Sequence, residues 1–231
     1  MPRAAALLLL AVAAFSAEPP PLELDHVTIV VPEGAPGAPM ALAAAGFHML
    51  NTEPNLPRLP GTATRTLGFE NAYLQLVWVT NRDSLNAADA ELSRRLKWDD
   101  AGTSRFVFGL RRAGTSDSLP FATTDHAGAA YARTAEHEPQ VRVVPADRAW
   151  TSVAPQLATE LKHLNDTHRI TLVTWVHRRA RNAEAIDWLQ QKEIVKGGLA
   201  GGDAFVEVEL DDGHTGKRVD FRPRLPLVIR Y

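Results

Sequence analysis

His26 is the residue whose type and surroundings most directly suggest chemistry. It directly follows Asp25 and precedes the largely apolar run from Val27 to Val31. An imidazole beside a carboxylate can take a proton from a substrate as a general base. A core histidine that only hydrogen-bonds to its surroundings would have the same sequence signature. Both interpretations of His26 therefore stay open at the level of the sequence.

The composition limits which other side chains can carry chemistry. The chain has 231 residues, of which 45% are hydrophobic, and it contains no cysteine. It can therefore build a core, while disulfides, thiolate metal sites and a cysteine nucleophile are excluded. Lys+Arg 25 against Asp+Glu 27 gives a formal net charge of −2, which argues against a nucleic-acid-binding protein. Histidine, carboxylate, hydroxyl and arginine side chains remain for function.

The common catalytic and phosphate-binding motifs do not occur in the sequence. The absence of a G-x-S-x-G elbow argues against a serine hydrolase of that class. The glycine-rich run 197–202 lacks the Lys-Ser/Thr of a phosphate loop, so we expect a flexible hairpin or a loop at a cavity edge. His126 and residues 136–138 supply His and Glu without H-E-x-x-H spacing, and we expect a solvated loop there.

Strand-forming segments must position His26. Residues 24–31 are rich in β-branched side chains and end at Pro32, which predicts a buried strand. Residues 40–45 predict a short alanine-rich helix that ends at Gly46. The pattern then predicts an amphipathic helix at 84–97 and strands at 47–50, 64–69, 73–79 and 105–111.

A similar strand pattern returns later in the chain. Arg169 to Val173 resembles His26 to Val30, and a predicted helix with Asn182 as a candidate N-cap follows. Strands are predicted at 205–210 and 217–221. The repeated order of elements predicts an internal duplication. We therefore expect a first module at 22–112, an irregular connection with a strand or two at 113–162, and a second module at 163–231.

The N-terminus has the pattern of an export signal. Arg3 precedes an apolar run from Ala4 to Phe15, and small residues follow. The run is typical of a secretory signal peptide and falls short of the roughly 20 residues that cross a bilayer. A buried N-terminal helix is the alternative, which the prolines at 19–21 disfavour. We expect cleavage after residues 1–16, a mature protein in the periplasm or outside the cell, and no membrane attachment after cleavage.

Several segments resemble one protein family. LDHVTIVV, the following GF and GTATRTLGFENAYLQLVWV resemble the first module of the glyoxalase-like domain family, within the vicinal oxygen chelate superfamily. HLNDTHRITLVTWV and VDFRPRLPLVIRY resemble the start and end of its second half. The resemblance spans most of residues 22–231. It implies an α+β fold of two βαβββ modules that form a curved mixed sheet around one cavity.

The resemblance also implies positions for a metal ion. In metal-using members, a His of the first strand and a Glu of the fourth strand bind a divalent ion, and the second module supplies matching ligands. His26 fits the first position, but Gln75 stands at the Glu position and Arg169 at the His or Gln position of the second module. A neutral amide does not offset a divalent charge, and an arginine repels a cation. We expect no tightly bound metal; if a divalent ion binds, its ligands would be His26, Gln75 and Asp220 of the final strand.

The implied fold would bring a set of polar side chains to the cavity. Such a set fits a ligand with a carboxylate, a phosphate or polar oxygens, because arginine presents a planar fork of donors. A structural ion pair between Asp220 and Arg222 is the alternative for those two residues. The expected ligand-binding residues are Arg65, Gln75, Arg169, Asp220 and Arg222.

Two functions follow from these expectations. The first is an exported protein that binds a small organic molecule, anionic or polar, between the modules and without a tightly bound metal. The alternative is a metal-dependent lyase, isomerase or dioxygenase in which His26 acts as metal ligand or general base. The missing carboxylate at Gln75 favours the first. A small molecule, rather than nucleic acid, is the expected partner in both cases.

Overall fold

Two mixed β-sheets and a few short helices form the fold, in agreement with the α+β class expected from the sequence. A computed structural model describes residues 22–32, 37–50, 60–84, 95–96, 98, 103–114, 118–126, 128–177 and 183–231. The predicted signal peptide at 1–16, the candidate N-cap Asn182 and most of the helix predicted at 84–97 lie outside the described residues.

The first sheet has seven strands. They are β1 (Leu22–Val30), β2 (Thr62–Gly68), β3 (Tyr73–Val79), β4 (Phe106–Arg112), β5 (Thr123–His126), β6 (Ala129–Ala132) and β7 (Gln140–Val143). Across the sheet the order is β2-β3-β1-β4-β7-β6-β5. The strand predicted at 47–50 does not form. Instead, Leu50 donates its N–H to the carbonyl of Thr66 (2.9 Å) at the edge of the sheet.

The second sheet has five strands. They are β8 (Ile170–His177), β9 (Lys196–Leu199), β10 (Phe205–Leu210), β11 (Arg218–Asp220) and β12 (Leu227–Arg230), in the order β11-β12-β10-β8-β9. Two expectations are corrected here. Arg169 precedes β8 instead of lying on it, and Asp220 ends β11 instead of lying on the final strand. The glycine run also differs from the loop that was expected, because its first half belongs to β9.

Three short α-helices lie entirely within the described residues. They are α1 (Ala38–Ala44), α2 (Trp150–Val153) and α3 (Glu184–Gln191). The turn after α1 ends at Gly46, whose φ of 87° lies in the left-handed region that glycine adopts most readily. In the described residues, no helix is long and apolar enough to cross a membrane.

The pairing pattern of the first sheet repeats within that sheet. β1 runs parallel to β3, which pairs antiparallel with β2. In the same way, β4 runs parallel to β7, which pairs antiparallel with β6. The two leading strands, β1 and β4, pair antiparallel with each other. The segment 113–162, expected as an irregular connection with a strand or two, thus supplies three strands to this sheet, of which β6 and β7 belong to the repeat.

The second sheet has the same alternation of antiparallel and parallel pairs as the strands β2-β3-β1-β4-β7. Its chain order is different. The sequence pattern matched β8 with β1. In the sheet, however, β10 takes the place that corresponds to β1, and β8 takes the place that corresponds to β4. Pairing depends on contacts far apart in sequence, which local alternation of side chains does not encode.

One face of each sheet packs into a shared apolar core. Val27 and Ile29 of β1 belong to that core, together with Val206 and Val208 of β10. Because successive side chains of a strand point to opposite faces, His26 and the residues in step with it lie on the other face of the first sheet.

Asn71, in the turn between β2 and β3, joins the two sheets. Its Nδ2 donates to the carbonyl of Ile170 (2.7 Å), and its Oδ1 accepts the N–H of Ile170 (2.9 Å). Arg111 donates to the Asn71 carbonyl (2.7 Å). A polar side chain in a tight turn therefore fixes the start of β8 against the first sheet.

Candidate functional site

A row of buried polar side chains crosses the face of the first sheet that is turned away from the core. Backbone pairing sets Thr66 opposite Gln75 and Gln75 opposite Thr28. Beyond Val107 of β4, Gln140 lies in the same row. The four polar residues are at most 7% exposed. We call Thr28, Thr66, Gln75 and Gln140 the polar stripe.

A second row, two residues along each strand, contains His26. Tyr73 pairs with His26, His26 with Gly109, and Gly109 with Arg142. A Cβ at Gly109 would lie only 1.9 Å from Cε1 of His26, so the imidazole lies over a position that lacks a side chain. The ring also stacks on Tyr73, with centroids 4.7 Å apart.

Asp25, His26 and Arg142 form a hydrogen-bonded chain. Nδ1 of His26 lies 2.7 Å from Oδ1 of Asp25, and Nε and Nη2 of Arg142 lie 3.0 and 2.7 Å from Nε2 of His26. A guanidinium group can only donate, so Nε2 must accept. Nδ1 therefore carries the proton and donates to Asp25, whose Oδ2 accepts the N–H of Trp150 (2.6 Å).

The protonation of this chain follows from its burial and charges. Burial, together with the nearby charge of Arg142, lowers the pKa of His26 to about 4, although the contact with Asp25 opposes the shift. Burial raises the pKa of Asp25, but the hydrogen bond and the charge interaction with His26 outweigh it, and the net pKa is lowered. At neutral pH the chain therefore contains a carboxylate, a neutral imidazole and a guanidinium cation.

Apolar side chains lie on both sides of the polar stripe. On one side, Trp150 packs with Tyr73 and Leu161. The indole Nε1 of Trp150 also donates to the carbonyl of Phe69 (2.6 Å). On the other side, Leu96 packs with Val30 and Val77. Because the stripe runs between two apolar clusters, its polar groups lie in surroundings where water competes weakly for hydrogen bonds.

Several donors on this face have no hydrogen-bond partner among the described residues. Gln75 is bonded only through Oε1, which accepts from Thr28 Oγ1 (3.4 Å). Gln140 is bonded only through Oε1, which accepts from Arg95 Nε (3.0 Å). The side-chain bonds of Arg142 all go to His26. The Nε2 groups of both glutamines and three N–H bonds of Arg142 are thus available to a ligand.

Of the residues expected from the sequence to bind a ligand or act in catalysis, the structure brings His26 and Gln75 together on this face. Arg65 lies elsewhere, because it pairs with the core residue Leu76 and is exposed. Its position on the opposite face corrects the expectation that it lines the same site. The alternation of β2, with Thr66 and Arg65 on opposite faces, is the reason.

Arg169, Asp220 and Arg222 are exposed and carry structural ion pairs. Arg169 lies 3.7 Å from the carboxylate of Glu70. Arg222 donates to both carboxylate oxygens of Asp220, at 2.8 and 2.5 Å. These hydrogen bonds lower the pKa of Asp220 to about 2, while its small degree of burial acts in the opposite direction. The three residues belong to the second sheet or its edge, away from the polar stripe.

The donor set does not fit the divalent ion that the family resemblance implies. Nε2 of His26 accepts from a cation, which leaves no lone pair on the ring for a metal. Asp220 belongs to the second sheet and pairs with Arg222. Within the described residues, no three His, Cys, Asp or Glu side chains are grouped as metal ligands would be. The same contact with Arg142 occupies the lone pair that a general base would use.

Sequence reasoning missed Arg142, Gln140 and Thr66. Arg142 and Gln140 fall in the segment expected to be irregular, where no periodicity predicted β7. Thr66 was part of a predicted strand, and its alternation with Leu67 could have placed it on the polar face. The alternating polar residues of Gln140-Val141-Arg142-Val143 were a similar signal, because they follow the period of a half-polar strand.

Clefts on the described surface include a small one near the polar stripe and a larger one beside α1. The smaller, of about 130 Å³, is lined by Val31, Val79, Arg82, Leu96 and Trp98. It shares Leu96 with the apolar cluster beside the polar stripe, so it adjoins the candidate site. The larger, of about 570 Å³, is an open groove beside α1 that is lined by none of the residues named above.

Comparison with known proteins gives information on the fold. No protein-family model matches the chain, and no curated protein matches it. Among solved structures, a hypothetical protein from Staphylococcus aureus has a similar fold, with a TM-score of 0.55 and 10% sequence identity. The match covers 90% of this chain and 98% of the other. Since the identity is so low, the likeness extends to the fold alone.

Proposed function

We propose that the polar stripe and Arg142 bind a small polar or anionic organic molecule, without a tightly bound metal. The observation that carries this proposal is the set of unengaged donors on Gln75, Gln140 and Arg142. A sheet face that served only for packing would be expected to carry apolar side chains instead.

The chemistry of the donors indicates the class of ligand. All unengaged groups are N–H donors, so the ligand has to supply acceptor oxygens, as carboxylates, phosphates and carbonyl compounds do. Gln75 and Gln140 lie three strand spacings apart, which is about 14 Å between their backbones. A ligand that meets both has to extend over several bonds, which favours an organic molecule over a simple ion.

We further propose that the first sheet corresponds to a glyoxalase-like arrangement, in which two strand-rich modules surround the ligand. The order β1, α1, β2, β3 and the parallel pairing of β1 with β3 support a module of that kind. The repeated pairing of β4, β7 and β6 supports a second one. The partner module would then be formed by residues 106–143 instead of residues 163–231.

Export is a separate part of the proposal. A basic residue, an apolar run and small residues in the first 16 positions support a signal peptide and a periplasmic or secreted mature chain. Expression of the full sequence in a bacterium, followed by fractionation and N-terminal sequencing, tests this. An intact N-terminus in the cytoplasmic fraction would contradict export.

A ligand screen tests the binding function. The mature chain would be screened by thermal shift against carboxylates of increasing length, each paired with its neutral amide. We expect at least one compound to raise the Tm, because a ligand that binds only the folded state stabilises it. In Gln75→Leu and Gln140→Leu, the affinity for that compound should fall about tenfold, the usual loss for one hydrogen bond to a charged group.

Arg65→Gln is the matched control, because Arg65 lies on the same sheet but on its other face. Equal affinities in Gln75→Leu, Gln140→Leu and the unchanged protein would overturn the proposed site. Elemental analysis of the purified protein tests the statement about metal. A stoichiometric divalent ion that is lost in His26→Ala would favour the metal-dependent lyase, isomerase or dioxygenase instead.

A further inference from the structure

We infer that Arg142 receives a carboxylate or related oxyanion at this site, and that Asp25 acts through His26 as the positioning residue for its guanidinium group. The inference rests on the proposed binding function. It goes beyond that function by assigning the charged end of the ligand to one residue and by giving a role to two buried residues that cannot reach the ligand themselves.

The free edge of the guanidinium group has the geometry that a carboxylate needs. Arginine has one N–H on Nε and two on each Nη. Nε and one N–H of Nη2 are directed at Nε2 of His26. The remaining three, on Nη1 and Nη2, make no hydrogen bond with the described residues. The pair Nη1 and Nη2 forms the fork that binds both oxygens of a carboxylate.

Asp25 determines which edge of Arg142 is free. Its carboxylate holds the proton of His26 on Nδ1, which makes Nε2 an acceptor. A neutral imidazole with the proton on Nε2 would direct an N–H at a cation and would push the guanidinium away. The buried carboxylate, itself fixed by the N–H of Trp150, thus sets the orientation of an arginine with which it makes no hydrogen bond.

The other groups around His26 support a fixed ring. Tyr73 stacks on it from β3, and Gly109 of β4 gives it room. Arg111 of β4 is the second cation near Asp25. It is bonded to Glu23 (2.6 Å) and to the carbonyls of Leu24 and Asn71. It is therefore engaged in holding the backbone.

Arg95, which also lies beside the polar stripe, is engaged in a similar way. It is 1% exposed and donates to Gln140, to the carbonyl of Glu138 (2.6 Å) and to Thr134. Arg142 differs from both Arg95 and Arg111, because it is half-buried and directs only one edge into the protein. This contrast supports Arg142 as the anion-binding arginine.

The test uses acetate and acetamide, which have nearly the same shape but differ in charge. Binding of both to the folded mature chain would be followed by the NMR signals of the Arg142 side chain and of the His26 ring next to it, and in Arg142→Gln by those of the His26 ring. We expect acetate to bind at least about tenfold more tightly than acetamide, since charge-assisted bidentate pairs are the stronger ones. The preference should fall to about one in Arg142→Gln, whose amide can still donate to His26.

The positioning role of Asp25 is tested separately. In Asp25→Asn the preference for acetate should fall several-fold, and in the exposed control Asp220→Asn it should not change. If Asp25 were only structural, Asp25→Asn would lower the Tm but keep the preference. If that variant does not fold, the ¹⁵N signals of the His26 ring in the unchanged protein test the positioning role, because they show which ring nitrogen carries the proton. A proton on Nε2 instead of Nδ1 would overturn the positioning role.

The outcomes separate this inference from the binding function. The inference would be overturned if acids and their amides bound with equal affinity, or if acetate left the Arg142 signals unchanged. In both cases the ligand screen could still support the proposed binding site. The proposed function itself would be overturned if the screen found no ligand whose affinity depends on Gln75 or Gln140. A charge preference lost only in Arg142→Gln would support the anion site and overturn the role of Asp25.

Discussion

The two sheets differ in the exposure and the pairing of most of their charged and amide side chains. On the first sheet, polar side chains are buried on one face and keep donors without described partners. On the second sheet, charged residues are partly exposed and neutralise one another. Glu207 contacts Arg218 (3.3 Å) and Arg230 (3.6 Å), Arg230 also contacts Glu209 (3.3 Å), and Asp220 contacts Arg222 (2.5 Å).

This difference shows why the number of charges is a poor guide to a binding site. The exposed ion pairs of the second sheet contribute little, since water screens them and competes for their hydrogen bonds. The polar side chains of the stripe on the first sheet are nearly shielded from water, so hydrogen bonds made to them are screened less. The comparison therefore supports the first sheet, rather than the second, as the place of the proposed binding site.

Among the single substitutions, removing one buried charge should have the largest effect. In Asp25→Asn, the new NH₂ group would point at either the N–H of Trp150 or the N–H of His26. Two hydrogen-bond donors would then face each other. We expect a loss of about 3 kcal/mol in the free energy of unfolding, in the range found for broken buried pairs. The exposed control Asp220→Asn should lose less than about 1 kcal/mol. Urea unfolding measures both, and similar losses in the two variants would erase the contrast between the sheets.

Adding one methyl group under His26 should have the next largest effect. In Gly109→Ala the new Cβ would overlap the imidazole, which must shift away from Arg142. We expect a loss of about 2 kcal/mol, as is common for overpacked sites. Gly114→Ala, just beyond the end of the same strand, meets nothing within 4 Å and should change stability little. An unaffected Gly109→Ala would mean that the ring does not lie over this position.

Acidification should reduce stability through two buried histidines. The pKa of His26 falls from 6.5 to about 4, and burial also lowers the pKa of His163 to about 4. The unfolded chain therefore binds protons more readily than the folded one, and stability should decrease as the pH falls from 6.5 to 4. The loss is on the order of 3 kcal/mol for each ring, at about 1.4 kcal/mol per pKa unit.

Urea midpoints measured across this pH range test the sign of the effect. His163→Asn should show a smaller decrease than the unchanged protein, because it retains only one of the two groups. A stability that is constant or that rises on acidification to pH 4 would contradict a buried, neutral His26.

Changes to the exposed charges of the second sheet should have the smallest effect. Arg222→Gln removes a partner of Asp220, but both groups remain solvated and Asp220 keeps Arg218 at 3.8 Å. We expect a change below about 0.5 kcal/mol in the free energy of unfolding and no change in ligand affinity. A marked loss of ligand binding in this variant would mean that the ligand binds at the residues expected from the sequence, such as Arg222, instead of at the polar stripe.

Local patterns predicted much of the fold but little of the site. The strands around Val27, Leu74 and Val206 were predicted because their β-branched and apolar residues alternate clearly. The strand at Gln140 to Val143 was missed because prolines and mixed polarity surround four residues. The partners of β8 were also missed, since pairing between distant strands is a tertiary property.

The site residues divide in the same way. His26 stood out because it is polar in an apolar strand, and Gln75 because of the family resemblance. Arg65, Arg169 and Arg222 were chosen for the chemistry of their side chains, without knowledge of their face or partners. The alternation of residues 140–143 could have placed Arg142 on a polar face, but only the register sets it beside Gly109, next to His26.

The most direct test of the binding site follows the side-chain amide signals of the glutamines by NMR. The strongest compound from the ligand screen would be added to the mature chain. We predict that the NH₂ signals of Gln75 and Gln140 shift together with that of Arg142, while Gln156, whose amide donates to Ser152 at the surface, stays unchanged. Shifts confined to residues of the second sheet, with Gln75 and Gln140 unmoved, would contradict the account.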